Sequence, residues 1–270
     1  MLKGKNLPTA QSRGGEGADR MMPDVIIALA PAVIVSVVLS GVQALLVLMT
    51  FAAGAVAGEA VFNLCVRKQQ TVLDGSAVVT GLVLGLSLNA NVPLWQCAVG
   101  AVFAVVVVKG LFGGLGKNLV NPAAAAHVFM LLAFTAVGGG AGGVSRVIAL
   151  AVGGVYLVVR KGISWYVPLF FTGTVLVCFL ALTGSPTTAL EQVLAGNVVL
   201  GAVFMAGDCV TIPTTKVGRA LFGVGAGLLT FALRQSGVQP DGVAVAILVM
   251  NLFTPFLEDW TAKKEVRSHG

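Results

Sequence analysis

The sequence predicts an all-α polytopic membrane protein of about ten transmembrane helices, arranged as a five-plus-five inverted repeat with two short, interrupted helices. Three observations carry that prediction. Of 270 residues, 57% are hydrophobic and only 10% are charged, against roughly a quarter charged in an ordinary soluble domain. Apolar runs bounded by Gly, Pro, Asn and charge recur along the chain, and a bilayer is the solvent that accepts so much apolar surface on helices of ~20 residues. The basic residues between the runs alternate as the two sides of a membrane would. The same apolar density, without polar periodicity, excludes soluble globular, disordered, collagenous and coiled-coil classes. The net charge of +6 is spread singly rather than clustered with aromatics, so nucleic acid is not an expected partner.

Taken in order, residues 1–23 are polar, with no apolar core and no cleavage site, and read as a cytoplasmic tail rather than a removable signal peptide. The first five-helix repeat, 24–143, holds spans at 24–41, 42–66, 76–88, 93–112 and 123–140. The second, 144–259, holds spans at 144–160, 164–183, 194–207, 217–236 and 241–258, and 260–270 is a second cytoplasmic tail. At 1.5 Å per residue, 76–88 and 194–207 fall short of ~30 Å of hydrocarbon. Each stands third in its set of five, and an odd number of spans per half turns the halves opposite ways. Interrupted helices in such a repeat face each other near the midplane, where free backbone groups line a polar path. With the N-terminus in the cytoplasm, Lys3, Lys5, Arg13, Arg20, Arg67, Lys68, Lys117, Arg160, Lys161, Lys216, Arg219, Lys263, Lys264 and Arg267 fall inside and Lys109 lies at the inner end of its helix, while only Arg146 and Arg234 fall outside. The four cysteines, Cys65, Cys97, Cys178 and Cys209, show no CxxC pairing and read as buried spectators, so no metal site is expected.

Polar residues inside an apolar chain need a reason. Asp74-Gly75-Ser76-Ala77 opens the third span, with Thr80 one turn on; Asp74 is either a helix cap or part of a donor set for an anion or a flavin edge. Phe112-Gly113-Gly114-Leu115-Gly116-Lys117-Asn118 precedes Asn121-Pro122, a glycine-permitted close approach followed by a rigid helix entry, without the spacing of a Walker loop. Gly207 to Lys216 closes the eighth span and contains Asp208, Thr211 and Thr214. Asp208 either caps, or pairs with Lys216 or Arg219 at the surface, or serves a cation or proton path. Asp241 sits in a Pro-Asp-Gly turn, and Asn251, Glu59 and His127 are intramembrane; Glu59 and His127 read first as bundle-facing hydrogen-bonded groups. No nucleophile triad, metal spacing or paired catalytic carboxylates are present.

The runs DGSAVVTGLVLGLSL (74–88), KGLFGGLGKNLVNPA (109–123), LGAVFMAGDCVTIPTTKVGRALFG (200–223) and PDGVAVAILVMNLFTP (240–255) resemble the D-subunit family of the Rnf electron-transport complexes, whose wider family includes the B subunit of the sodium-pumping NADH:quinone reductase. The resemblance implies a ten-helix inverted-repeat fold similar to urea transporters. It also implies a membrane subunit, not catalytic alone, of an oxidoreductase that passes electrons between ferredoxin and NAD or toward a quinone while Na+ or H+ crosses the prokaryotic inner membrane. Implied partners are membrane and peripheral subunits carrying iron–sulfur clusters and flavins. Family members also carry an FMN joined to a threonine in a long outer insertion between spans five and six. Here that loop is only Gly138-Gly139-Gly140-Ala141-Gly142-Gly143-Val144-Ser145, and no Asp-Gly-x-x-x-Ala-Thr occurs anywhere. The nearest lookalike, Thr187 or Thr188 after span seven, reads as a plain loop and cap. The missing motif argues against covalent FMN and leaves a noncovalent flavin, riboflavin or FMN, open. Candidate flavin contacts are Asp74, Ser76, Thr80, Lys109, Asn118 and Asn121. Candidate ion-path residues are Asp208, Thr211, Thr214, Asp241, Asn251 and Glu59, with Lys109 answering Asp208 or meeting a flavin phosphate. The alternative is a stand-alone channel or transporter for a small solute or ion on the same fold.

Overall fold

The computed structural model describes residues 10–67, 71–112, 114, 118–134, 143–208, 210–237 and 242–268, with side chains between 21 and 262. The described chain is helical. Helix α1 (Ala10–Cys65) is two helices meeting at Gly41, whose φ of 67° and ψ of −155° only glycine adopts without strain. Met22 and Val25, early in the first arm, share a cavity with Lys109, and Glu59, late in the second, pairs with Lys109. Ser36, Ser40, Ala44 and Leu48, on either side of Gly41, line a cavity at the other end. The two arms therefore fold back antiparallel, as the separate spans 24–41 and 42–66 require.

A 3-10 turn (Val72–Asp74) leads into α2 (Ser76–Ser87); α3 (Leu94–Val102) continues as a π-helical segment (Phe103–Gly110). Next come α4 (Pro122–Ala133), α5 (Val144–Val159), α6 (Tyr166–Thr183) and α7 (Pro186–Leu194). A three-residue α8 (Val198–Leu200) runs into a second π-helical segment (Gly201–Met205), followed by α9 (Lys216–Gln235) and α10 (Val243–Ser268). By length and apolar content, Met21–Cys65, Tyr166–Thr183, Lys216–Gln235 and Val243–Ala262 can cross a membrane, and Pro186–Leu194 with Val198–Met205, bent by 61°, makes a fifth if the pair is one span. The protein is an all-α, multi-pass membrane protein.

Small residues set the helix spacing. A Cβ on Gly81 would stand 2.6 Å from the carbonyl oxygen of Phe51 and 2.7 Å from Cα of Ala52, so α2 lies backbone to backbone on the second arm of α1. The first arm packs on α5 and is pinned by Asp24, which accepts from Tyr156 Oη at 2.9 Å and from Arg160 at 3.3 Å. Helices α6 and α9 form the matching pair in the second half, and α4 packs on α10. The buried core is continuous across these contacts, with Phe51, Met130, Phe171, Leu200 and Phe222 among its fully enclosed side chains.

Several boundaries differ from the sequence reading. The N-terminal tail read over residues 1–23 is helical from Ala10, and α10 runs through the tail read over 260–270 as far as Ser268. Apolarity marks where lipid ends, whereas α10 propagates past it through good helix formers, Ala262, Lys263, Lys264 and Glu265; helix over Ala10–Pro23, with Gly14, Gly15 and Gly17, has no such explanation in propensity. Of the span expected over 123–140, helix α4 ends at Ala133, where Phe134 turns extended (φ −133°, ψ 114°), and 135–140 lie outside the described residues. The stretch read as a plain loop and cap around Thr187 and Thr188 is the junction of two helices: Thr183 closes α6, Ser185 is the N-cap of α7 and Pro186 its first residue, a helix start with its own sequence signature. Leu194 closes α7, leaving 198–205 as the eighth segment. Cys65 is exposed, Cys97 buried and Cys178 half-buried, all three free; of these only Cys97 is the buried spectator expected.

Candidate functional site

One cavity of about 170 Å³ opens between the first and second halves of the chain. From the first half it takes Ser76, Val79, Thr80 and Val83 of α2, Lys109 from the π-helical segment, and Asn118, Asn121 and Pro122 at the entry to α4. From the second half it takes Leu157, Ile163, Val203, Phe204, Gly207, Asp208 and Val210, and the start of α1 closes it with Met21, Met22 and Val25. Five of the six residues expected to touch a flavin thus share one cavity with Asp208.

Each polar group is held by its own element. The π-helical segment, in which Leu111 N–H reaches back five residues to Val106 O at 3.1 Å, widens the turn that carries Lys109; such insertions recur at functional sites. Lys109, 2% exposed, donates to Glu59 Oε1 at 2.7 Å and to Ser76 Oγ at 2.5 Å. Ser76 Oγ in turn donates to Asp74 Oδ1 at 2.5 Å, which also accepts from Ser76 N–H at 2.8 Å. Glu59 Oε1 accepts a further bond from Thr71 at 2.6 Å. Lys109 therefore answers Glu59 and not Asp208, and Glu59 stands behind the cavity wall rather than on a path with Asp208. The cause is proximity: Glu59 and Lys109 come from neighbouring segments of the first half. Asp74 also lies behind the wall, acting through Ser76 as a cap. The Oδ1 of Asn118, a buried atom of a cavity-lining residue, has no hydrogen-bond partner among the described residues.

Across the cavity, the second π-helical segment ends with Ala206 N–H bonded to Gly201 O at 2.6 Å and releases the chain into Gly207 and Asp208. Asp208 Oδ1 accepts from Val210 N–H at 3.1 Å. It does not pair with Lys216 or Arg219; Arg219 donates to Pro213 O at 3.0 Å.

Beneath the cavity, α4 and α10 meet through side-chain amides. Asn121 caps α4 by accepting from Ala124 N–H at 3.1 Å and donates to Met205 O at 3.0 Å. Asn251, 1% exposed, accepts from Asn121 N–H at 2.9 Å and donates to Thr211 O at 3.2 Å. Asn251 and Thr211 are thus structural neighbours of the cavity, not part of its wall. Thr214 is exposed and bound through its N–H and hydroxyl to Glu258, which removes it from an interior path. Asp241 lies outside the described residues. His127 is fully buried and hydrogen-bonded to Ser87 Oγ at 2.7 Å, as read from the sequence. Arg146, read as a charge on the outer side, is only 7% exposed and reaches Asn197 Oδ1 at 3.5 Å. Its position three residues into α5 was the only signal for this. Thr187 is exposed and shares a 2.8 Å hydrogen bond with Ser185.

Comparison with known proteins gives a consistent assignment. The NQR2, RnfD, RnfE family model matches residues 8–138 and 134–267. The D subunit of a Na(+)-translocating ferredoxin:NAD(+) oxidoreductase complex from Acetobacterium woodii is 34% identical, covering 90% of this chain and 89% of the relative. The D subunit of a proton-translocating ferredoxin:NAD(+) oxidoreductase complex from Clostridium ljungdahlii is 32% identical over 95% of each chain. The D subunit of an ion-translocating oxidoreductase complex from Escherichia coli K12 is 30% identical, covering 90% and 92%. A match over nearly the whole chain, with three of the four sequence blocks (74–88, 109–123 and 200–223) lining one cavity, makes this protein a member of the NQR2, RnfD, RnfE family.

Proposed function

We propose that this chain is the membrane subunit of an ion-translocating oxidoreductase of the ferredoxin:NAD or NADH:quinone type, in which electron transfer is coupled to movement of Na+ or H+. Support comes first from the cavity, which unites Ser76, Thr80, Lys109, Asn118 and Asn121 with Asp208. Further support comes from relatives whose names describe D subunits of ferredoxin:NAD(+) oxidoreductase complexes. Those two relatives are named for different ions, so the choice between Na+ and H+ rests on this chain's own residues.

The wall suits a noncovalent flavin. Val79, Val83, Leu157, Ile163 and Phe204 offer an apolar face for flat rings, while Ser76, Thr80, Lys109 and the unpartnered Asn118 Oδ1 offer a polar edge, the composition of an ordinary ligand pocket. Such a flavin would supply one- and two-electron transfer. This chain's residues bind its edge and keep bulk water from it, and Asp208 supplies the negative charge that an ion approaching the cavity needs. The partners are subunits carrying iron–sulfur clusters and flavins. Two inverted halves, 24–143 and 144–259, are supported by the packing of the first arm of α1 on α5 and of α4 on α10, first element on first and last on last. Arg67, Arg160, Lys161, Lys216 and Arg219 gather toward the end of the bundle that holds Lys109, and Arg146 and Arg234 toward the other. The positive-inside rule then favours both termini in the cytoplasm and a place in the inner membrane.

The test is Asp208→Asn in the intact complex reconstituted into vesicles. Ion movement per electron is expected to fall far more than assembly does. Normal coupled transport in this variant would remove Asp208 from the path.

A further inference from the structure

A second cavity, of about 40 Å³, lies at the opposite end of the bundle. At about 10–15 Å³ for each water-sized guest, it has room for roughly three such groups, or for one single-atom ion with water beside it. The bend at Gly41 folds both arms of α1 over this space, the first arm with Ser36 and Ser40 and the second with Leu48. The turn after α2 adds Asn89, and the start of α5 adds Arg146. The cavity therefore sits where the first half of the chain meets the first helix of the second half.

Its polar groups are chiefly donors. Ser36 and Ser40 stand one helical turn apart on the same face of their arm, and the hydroxyl of Ser36, a residue 8% exposed, has no hydrogen-bond partner among the described residues. Asn89 Oδ1 already accepts from Asn91 N–H at 3.1 Å, so what this side chain has left to offer is chiefly its two N–H groups. Arg146, 7% exposed, carries five N–H donors and no acceptor, and it reaches the neutral Asn197 Oδ1 at 3.5 Å, long for a hydrogen bond. It is also the third residue of α5, where the backbone N–H groups of the first turn add positive potential to that of the guanidinium. Among the described residues lining the cavity none is acidic.

We propose that this cavity is a binding site for one small inorganic anion of the size of chloride. A metal cation needs oxygen acceptors in place of its water, and here it would meet a guanidinium and the positive end of a helix. Water alone would serve the hydroxyls and leave the positive potential unanswered, whereas an anion answers both, with charge-assisted hydrogen bonds that are stronger than neutral ones. Volume sets the size, since a sugar acid or a phosphate ester exceeds room for three water-sized groups. The donors stand on α1, on the turn after α2 and on α5, so one anion accepting from them fastens the start of the second half to the first. The site is independent of the redox reading above: it lies at the other end of the bundle from Asp208, and its ion is structural and opposite in sign to the one that is moved.

The experiment heats the intact complex in detergent, at constant ionic strength, with potassium chloride exchanged for potassium gluconate, whose anion is too large for the cavity. The fraction of this chain left soluble gives the midpoint. The midpoint should rise saturably with chloride, by roughly 5–11 °C at a hundredfold excess over the dissociation constant, and bromide should act as chloride does. In Arg146→Gln the saturable rise should vanish. In Ser36→Ala, which removes one donor to a charged guest and keeps the guanidinium, the half-saturating chloride concentration should increase about tenfold or more. A midpoint that does not distinguish chloride from gluconate overturns the inference and leaves the cavity to water. An unchanged half-saturating concentration in Ser36→Ala, or a full response in Arg146→Gln, overturns it as well, because the anion then binds elsewhere in the complex. Ser36→Ala decides the question even if Arg146→Gln fails to assemble.

Discussion

Removing the Lys109 ammonium should destabilise the first half sharply, and removing Glu59 with it should restore most of the loss. The side chains of Lys109 and Glu59 are 3% and 6% exposed and 2.7 Å apart. In Lys109→Met, Glu59 keeps only the Thr71 hydroxyl as a hydrogen-bond partner among the described residues. A buried carboxylate stripped of its counter-charge costs about 3–5 kcal/mol, whereas replacing both ions by apolar groups of similar volume is close to neutral. For a domain of this size each kcal/mol moves the midpoint by a few degrees, so Lys109→Met should lower it by roughly 6–20 °C. Glu59→Met/Lys109→Met should recover most of that, since the Thr71 hydroxyl left behind is on an exposed residue and keeps Asn63 Nδ2 as a donor at 3.1 Å. The assay heats the detergent-solubilised complex in steps and follows the fraction of this chain left soluble. A midpoint in Lys109→Met within the scatter of the unaltered protein, or a double variant no more stable than the single, would refute the pairing.

Other consequences follow from the same contacts. Gly81→Ala drives a methyl into the backbone of Phe51 and Ala52 and should cost about 1–3 kcal/mol, read as a lower thermal midpoint. Asn251→Leu leaves Asn121 N–H without its acceptor and takes one of two side-chain donors from Thr211 O; a loss of about 1–3 kcal/mol and faster proteolysis between α4 and α10 are expected. Thr187→Ala should leave the flavin content of the purified complex unchanged, because this exposed hydroxyl serves the start of α7. Loss of gel-band flavin fluorescence in that variant would mean that a covalent flavin sits there.

The solvent, the helices and most of the cavity's membership are legible in the amino-acid order. Apolar runs can be read one at a time because a bilayer forces each to satisfy its backbone internally, and Asp74-Gly75-Ser76 and Asn121-Pro122 announce helix entries through local capping chemistry. Boundaries are less legible at Thr261–Ser268, where helical propensity outlasts apolarity, and at Ala10–Pro23, whose glycines do not announce a helix. The two π-helical segments carry no local signature, although they set Lys109 and release Asp208. Which charge meets which was settled by long-range packing. Glu59 and Lys109 are fifty residues apart, and nothing in either segment distinguishes Glu59 from Asp208 as the partner. Only the packing of α2 and of the Phe103–Gly110 segment on the second arm of α1, with Gly81 against Phe51 and Gly110 against Phe62, brings Glu59, Ser76 and Lys109 into one cluster and leaves Asp208 on the opposite wall. Burial likewise turned Arg146 from a surface charge into an interior one. Pairing and burial depend on contacts between distant segments, and period and propensity, which a sequence displays directly, are short-range quantities.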